Sequence, residues 1–93
     1  MAYGVFQTRR FARQYKKLND HVAADVDQAV IAVARTPQIG EQKRGDLANL
    51  RVHKFRSQRQ LYLLGYTVDA DVRLVYLEAV APHENFYRDL KNK

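Results

Sequence analysis

Apolar positions recur first with a period of two, then with a helical period, then again with a period of two. That succession predicts strands flanking helices. Tyr3, Val5 and Gln7 alternate with Gly4 and Phe6, which predicts a first strand. Thr8 follows as a helix cap, and Phe11, Tyr15 and Leu18 fall at spacings of four and three on one helical face. Arg9, Arg10, Arg13, Lys16 and Lys17 cover the rest of that helix. Asn19 and Asp20 interrupt the stripe and cap a second helix, with Val22, Val26, Ala29, Val30 and Val33 on one side and Asp25 and Asp27 on the other. It stops at Thr36-Pro37, because the residue before a proline disfavours helical backbone angles.

Gln38 to Leu50, with Gly40 and Gly45, reads as loop. From Arg51 the period returns to two, placing Arg51, His53 and Phe55 on one side of a strand and Val52, Lys54 and Arg56 on the other. Ser57 to Arg59 make a turn. Leu61 to Thr67 and Val72 to Val80 are rich in Leu, Val and Tyr, and Asp69-Ala70-Asp71 joins them with hairpin chemistry. Apolar residues on both sides of Leu74 to Leu77 predict a central strand. Pro82 then interrupts the chain, and His83 to Lys91 predicts a short helix. The expected fold class is α+β: an N-terminal strand, a two-helix hairpin on one sheet face, a three-stranded antiparallel meander and a short C-terminal helix. A single domain over residues 1–93 is expected, with the sheet face opposite the helix hairpin left for function.

Charge narrows the function classes. Sixteen Lys and Arg against ten Asp and Glu give +6, which favours a polyanion or an acidic protein as partner. The chain has no cysteine, so it has no disulfide framework, thiolate nucleophile or Cys-based metal site. No apolar stretch approaches the roughly 18 residues of a membrane span, and a cytoplasmic protein is expected. The four glycines are dispersed and build no phosphate-cradling loop. Dispersed acidic residues and the lack of paired histidines predict neither a metal nor a cofactor.

Residues 43–59 carry Lys43, Arg44, Arg51, Lys54, Arg56 and Arg59 against Asp46 alone. Cations concentrated on one loop and strand, interleaved with His53 and Phe55, suit a groove that tracks phosphates. The competing reading is an edge strand blunted by charge for solubility. Lys54 and Arg56 point the same way and can hold two positive groups against one phosphate, where charge builds up as a phosphodiester is cleaved. Metal-free RNA cleavage also needs groups to take the 2′-hydroxyl proton and to protonate the leaving oxygen. His53, His83 and Tyr87 are the candidates. A helical C-terminal segment would align His83, Tyr87 and Lys91 on one face, with Arg88 adjacent.

Read in order, these segments resemble the RelE/ParE superfamily, the small basic toxins of bacterial type II toxin–antitoxin modules. The resemblance rests on the opening strand, Phe11 to Leu18, Pro37-Gln38-Ile39-Gly40-Glu41 ahead of Gly45-Asp46-Leu47, the Arg51 to Arg56 strand, Leu61-Tyr62-Leu63-Leu64, and His83-Glu84-Asn85-Phe86-Tyr87. The ending from His83 to Lys91 looks most like the ParE-like branch. RelE-like members cleave messenger RNA in the ribosomal A site without metal, through Lys and Arg on the sheet and a terminal Tyr or His. Carried over, Lys54 and Arg56 match the basic strand and Tyr87 the terminal aromatic. RelE-like members begin their third strand with a phosphate-contacting arginine, where this chain has Gln60 preceded by Arg59. A second arginine expected just after His83 is replaced by Glu84, whose charge would repel phosphate unless Arg88 or His83 compensates.

ParE-like members inhibit DNA gyrase and lack the ribonuclease residues, so the resemblance implies first a ribosome-associated mRNA endoribonuclease, alternatively a gyrase inhibitor, and last a degenerate protein that only binds its antitoxin. For the first, His53, Lys54, Arg56, His83 and Tyr87 are the expected catalytic residues, and Lys43, Arg44, Arg51, Arg59, Arg88 and Lys91 the expected RNA-binding ones. Each reading implies a cognate antitoxin, with operator DNA reached only through it. An acidic amphipathic antitoxin segment is expected over Arg9 to Lys17 or the sheet groove.

Overall fold

A computed structural model describes residues 2–91, and in it the opening alternation becomes β1 (Gly4–Gln7). Next come α1 (Arg9–Lys16), α2 (Asp20–Arg35), β2 (Glu41–Gln42), β3 (Arg51–Ser57), β4 (Gln60–Asp69), β5 (Leu74–Pro82) and α3 (His83–Lys91). The five strands form one sheet in the order β1-β5-β4-β3-β2. β1 runs parallel to β5, while β3, β4 and β5 form the expected antiparallel meander. No helix among the described residues is long and apolar enough to cross a membrane.

Local chemistry sets the helix starts. The Thr8 hydroxyl accepts from the Phe11 N–H at 3.2 Å, and the Asn19 side chain from the Val22 N–H at 3.0 Å. Leu18 lies beyond the end of α1 yet packs on the same core. α1 also closes the edge of β5 where β1 runs out. There the Thr8 hydroxyl donates to the Glu78 carbonyl at 3.2 Å, and the Gln14 side-chain oxygen accepts from the Val80 N–H at 2.8 Å. Both backbone groups would otherwise lack a ladder partner.

One core lies between the helix hairpin and the sheet, where Phe11, Val22, Val26, Ala29 and Val33 meet Tyr62, Leu64, Tyr66, Val75, Leu77 and Val80. A second core lies on the other face, where Phe86 of α3 is buried against Leu50, Val52, Leu63, Ala79 and Ala81. A β-bulge divides the two. Gly65 pairs with Ala79 but Tyr66 with Leu77, so Glu78 is extra. The inserted residue flips the alternation, sending Val75, Leu77 and Val80 to the first core and Ala79 and Ala81 to the second. Before the bulge, Tyr76 faces away from the first core and stacks on Phe6 of β1, so Leu74 to Leu77 is apolar on both sides.

The structure corrects three expectations. The segment 38–50 contains, besides two short helical turns (Pro37–Ile39 and Gly45–Leu47), the fifth strand β2, which pairs antiparallel with β3 through Glu41 to Val52 and Gln42 to Arg51. A strand of two polar residues carries no hydrophobic period. Tertiary hydrogen bonds deliver it instead: the Tyr66 hydroxyl donates to the Pro37 carbonyl at 2.6 Å and accepts from the Gly40 N–H at 2.8 Å. Pro82 does not interrupt the chain, because it is the last residue of β5 and α3 follows directly. A strand end tolerates the missing donor. Finally, the face opposite the helix hairpin, expected to be left for function, is not bare: Phe86 of α3 covers part of it and the rest stays exposed around Lys54 and Arg56.

Candidate functional site

Directly opposed residues in a sheet share a face, so the pairing of Glu41 with Val52 puts Glu41 on the α3 side. Lys43 follows two residues on, and its N–H donates to the Leu50 carbonyl at 2.9 Å, extending the pairing beyond β2. Lys54 and Arg56 alternate with Val52 on that same side and are exposed. From above comes α3. Phe86 plugs the second core, and Gly65 beneath it leaves room, since a Cβ there would lie 2.6 Å from the Phe86 ring. Tyr87 packs edge-on against Phe86, with ring centres 5.0 Å apart.

This docking brings Tyr87 to Lys43, whose ammonium sits 5.7 Å from the centre of the Tyr87 ring. The same ammonium pairs with the Glu41 carboxylate at 2.6 Å. That hydrogen bond, followed by the charges of Lys43 and Lys54, holds the Glu41 carboxyl below its usual range. Lys43 is correspondingly raised, first by Glu41 and then by the Tyr87 hydroxyl. Lys43, Lys54, Glu41 and Tyr87 therefore form one electrostatic cluster, with Arg56 next along the strand. Glu41 is the member that sequence reasoning missed. Its signals were its place two residues before Lys43 and at the end of the Pro37 to Glu41 segment, neither of which assigned it a role.

At the start of α3, Gln60, Leu61, His83 and Glu84 line a recess of about 180 Å³. Gln60 and Glu84, the two departures from the RelE-like pattern, contact each other. The Gln60 amide donates to the Glu84 carboxylate at 3.3 Å. Arg88 turns elsewhere, donating to the Asn85 side chain at 3.0 Å and lying 3.8 Å from Asp89. Lys91 is exposed in the last turn of α3.

Other expected site residues stand apart from the cluster. His53 lies on the opposite face of the sheet, its ring stacked on Phe55 at 6.3 Å, with Phe55 stacked in turn on Tyr62 of the first core. Burial pushes its imidazole below the usual 6.5. The sheet therefore separates His53 from Lys54, Arg56 and Tyr87. Arg51 shares that opposite face, and its guanidinium is engaged by the Gly40 carbonyl at 2.8 Å and the Gln42 side chain at 3.4 Å. It pins the β2 segment. Arg59 occupies the two-residue turn between β3 and β4, where Gln58 and Arg59 have φ of 51° and 67°. Arg44 is exposed ahead of the turn Gly45–Leu47.

A family profile described as "ParE-like toxin of type II bacterial toxin-antitoxin system" matches residues 5–91. Among solved structures, the chain is similar to the Mycobacterium tuberculosis toxin–antitoxin complex RelBE2, with 25% identity and a TM-score of 0.76 over 89% of this chain and 93% of that one. It is also similar to the intact Escherichia coli RelBE complex, with 24% identity and a TM-score of 0.72 over 86% and 95% of the two chains. The archaeal RelE–RelB complex from Pyrococcus horikoshii shares the fold at 15% identity, with a TM-score of 0.61 over 88% and 96%. No curated protein matches the chain by sequence.

Proposed function

The chain belongs to the ParE-like toxins of type II bacterial toxin–antitoxin systems, and on that footing we propose that it cleaves messenger RNA at the ribosome, with no metal ion. The observation that carries this reading is that α3 brings Tyr87 onto Lys43, on the sheet face where Lys54 and Arg56 of β3 are exposed.

The reaction is a transfer within the RNA. The 2′-oxygen attacks the adjacent phosphorus and the bond to the 5′-oxygen breaks, leaving a 2′,3′-cyclic phosphate and a 5′-hydroxyl. The 2′-hydroxyl loses a proton and the departing oxygen gains one. Lys54 and Arg56 offset the charge that accumulates on the phosphorane. His83 and Tyr87, one helical turn apart on α3, divide the two proton transfers. His53 has no part in this scheme, and Arg51 supports the loop rather than the RNA. Arg44, Arg59, Arg88 and Lys91 remain exposed cations for the flanking backbone. The cognate antitoxin is placed over the exposed Arg9, Arg13, Lys16 and Lys17 or over the sheet groove, and operator DNA is reached through it alone. A complex that left both surfaces open would refute this placement.

One observation favours a second reading. Gln60 and Glu84 bond to each other where RelE-like members use arginines, which fits a ParE-like gyrase inhibitor with no catalytic residues of its own. One experiment separates the two: inducible expression in a bacterial host, with primer extension on a defined message and DNA supercoiling read from the same cells. The ribonuclease reading expects new 5′ ends inside codons, lost in Tyr87→Phe and Lys54→Ala, with supercoiling unchanged. Intact messages with altered supercoiling would overturn it in favour of gyrase.

A further inference from the structure

Lys43 differs from the other cations of the basic segment. Its side chain is only 23% exposed, whereas that of Glu41 is 67% exposed. A cation meant to meet RNA phosphate gains nothing from an intramolecular carboxylate at 2.6 Å, since the phosphate must then displace it. Packing points to another purpose. The ammonium is held between the Glu41 carboxylate and the face of the Tyr87 ring, and Tyr87 itself is held by Phe86. β2 exists to bring this pair here: Arg51 and Tyr66 tie down the preceding residues, and the antiparallel pairing turns Glu41 and Lys43 toward α3.

We propose that Glu41 is a positioning residue, which holds Lys43 against Tyr87 so that Lys43 orients the Tyr87 side chain over the strand bearing Lys54 and Arg56. The role in catalysis rests on the RNA-cleaving reading above. The geometry does not. Two lysines around Glu41 keep its carboxylate ionised, which suits a permanent counter-ion better than a group that must exchange protons.

The test uses the full chain and has two arms. In the first, NMR reads the Lys43 side-chain methylene next to the ammonium, which the Tyr87 ring current should shift upfield. Glu41→Ala should return that resonance towards the value of a free lysine, and Glu41→Gln, which keeps an acceptor oxygen, should restore part of the shift. In the second, cleavage is measured on programmed ribosomes, and binding on ribosomes whose A-site codon carries 2′-deoxyribose. Glu41→Ala and Lys43→Ala should each lower kcat by roughly ten- to a hundred-fold with binding unchanged, and the double variant should be no worse than either. An unchanged Lys43 resonance in Glu41→Ala would overturn the proposal. So would tighter RNA binding with kcat intact, because Glu41 would then only compete with phosphate. If the wild type fails to cleave, the RNA reading falls, and the NMR arm still decides whether Glu41 holds Lys43 on Tyr87.

Discussion

At the scale of single residues, the decisive contrast is between His53 and its neighbour Lys54, which differ by one position and by a whole sheet face. His53 stacks on Phe55 and is half-buried, and desolvation disfavours its charged form. Because its folded pKa lies below the unfolded value, the unfolded chain binds the extra proton, so stability falls as pH drops below about 6.5 and levels off beneath the folded pKa. Urea unfolding at a series of pH values should show this loss, and His53→Phe, which keeps the stack, should remove the part His53 contributes. The same variant should leave RNA cleavage at the wild-type rate. A drop in kcat would mean that His53 reaches the RNA after all, against the geometry.

Among the elements, α3 is the piece on which the site depends, and Gly65 sets its height. With Phe86 against the bare Cα of Gly65, the helix settles low enough for Tyr87 to meet Lys43. Gly65→Ala would drive a methyl group into the Phe86 ring. The backbone of β4 cannot retreat, being hydrogen-bonded on both sides, so α3 must lift. We expect a cost of about 1–3 kcal/mol in urea unfolding, faster amide exchange across His83–Lys91, and loss of activity greater than the fraction unfolded would explain. Activity equal to wild type would mean that Tyr87 works without its seat on Lys43. The helix itself was expected over His83 to Lys91, after Pro82, and its turn aligns His83, Tyr87 and Lys91. Its docking was not legible, because nothing in a strand sequence marks which glycine lies under an aromatic ring.

For the whole molecule, the net charge of +6 is less informative than where the cations are free. Arg51 is bound to carbonyl oxygens and Lys43 to Glu41, whereas Lys54 and Arg56 face solvent. Binding to programmed ribosomes should weaken as salt rises. Lys54→Ala should flatten the slope of log K against log salt by roughly 0.7, the value for one single-strand phosphate contact. Arg51→Ala should leave that slope alone and instead lower stability by loosening the β2 segment. Equal changes in slope would show that position in the fold does not sort these cations.

Local chemistry determined the order of elements, the caps at Thr8 and Asn19, the meander, and the alternation that puts Lys54 and Arg56 on one side. Each depends on neighbours within a few residues, where periodicity and capping operate. Long-range contacts decided the rest. The bulge at Glu78, the strand β2, the burial of Phe86 over Gly65 and the meeting of Gln60 with Glu84 all join distant parts of the chain. The same contacts turned Lys43 from a free cation into the partner of Glu41 and Tyr87, because which charge lies next to which depends on how the layers close, not on spacing along the chain.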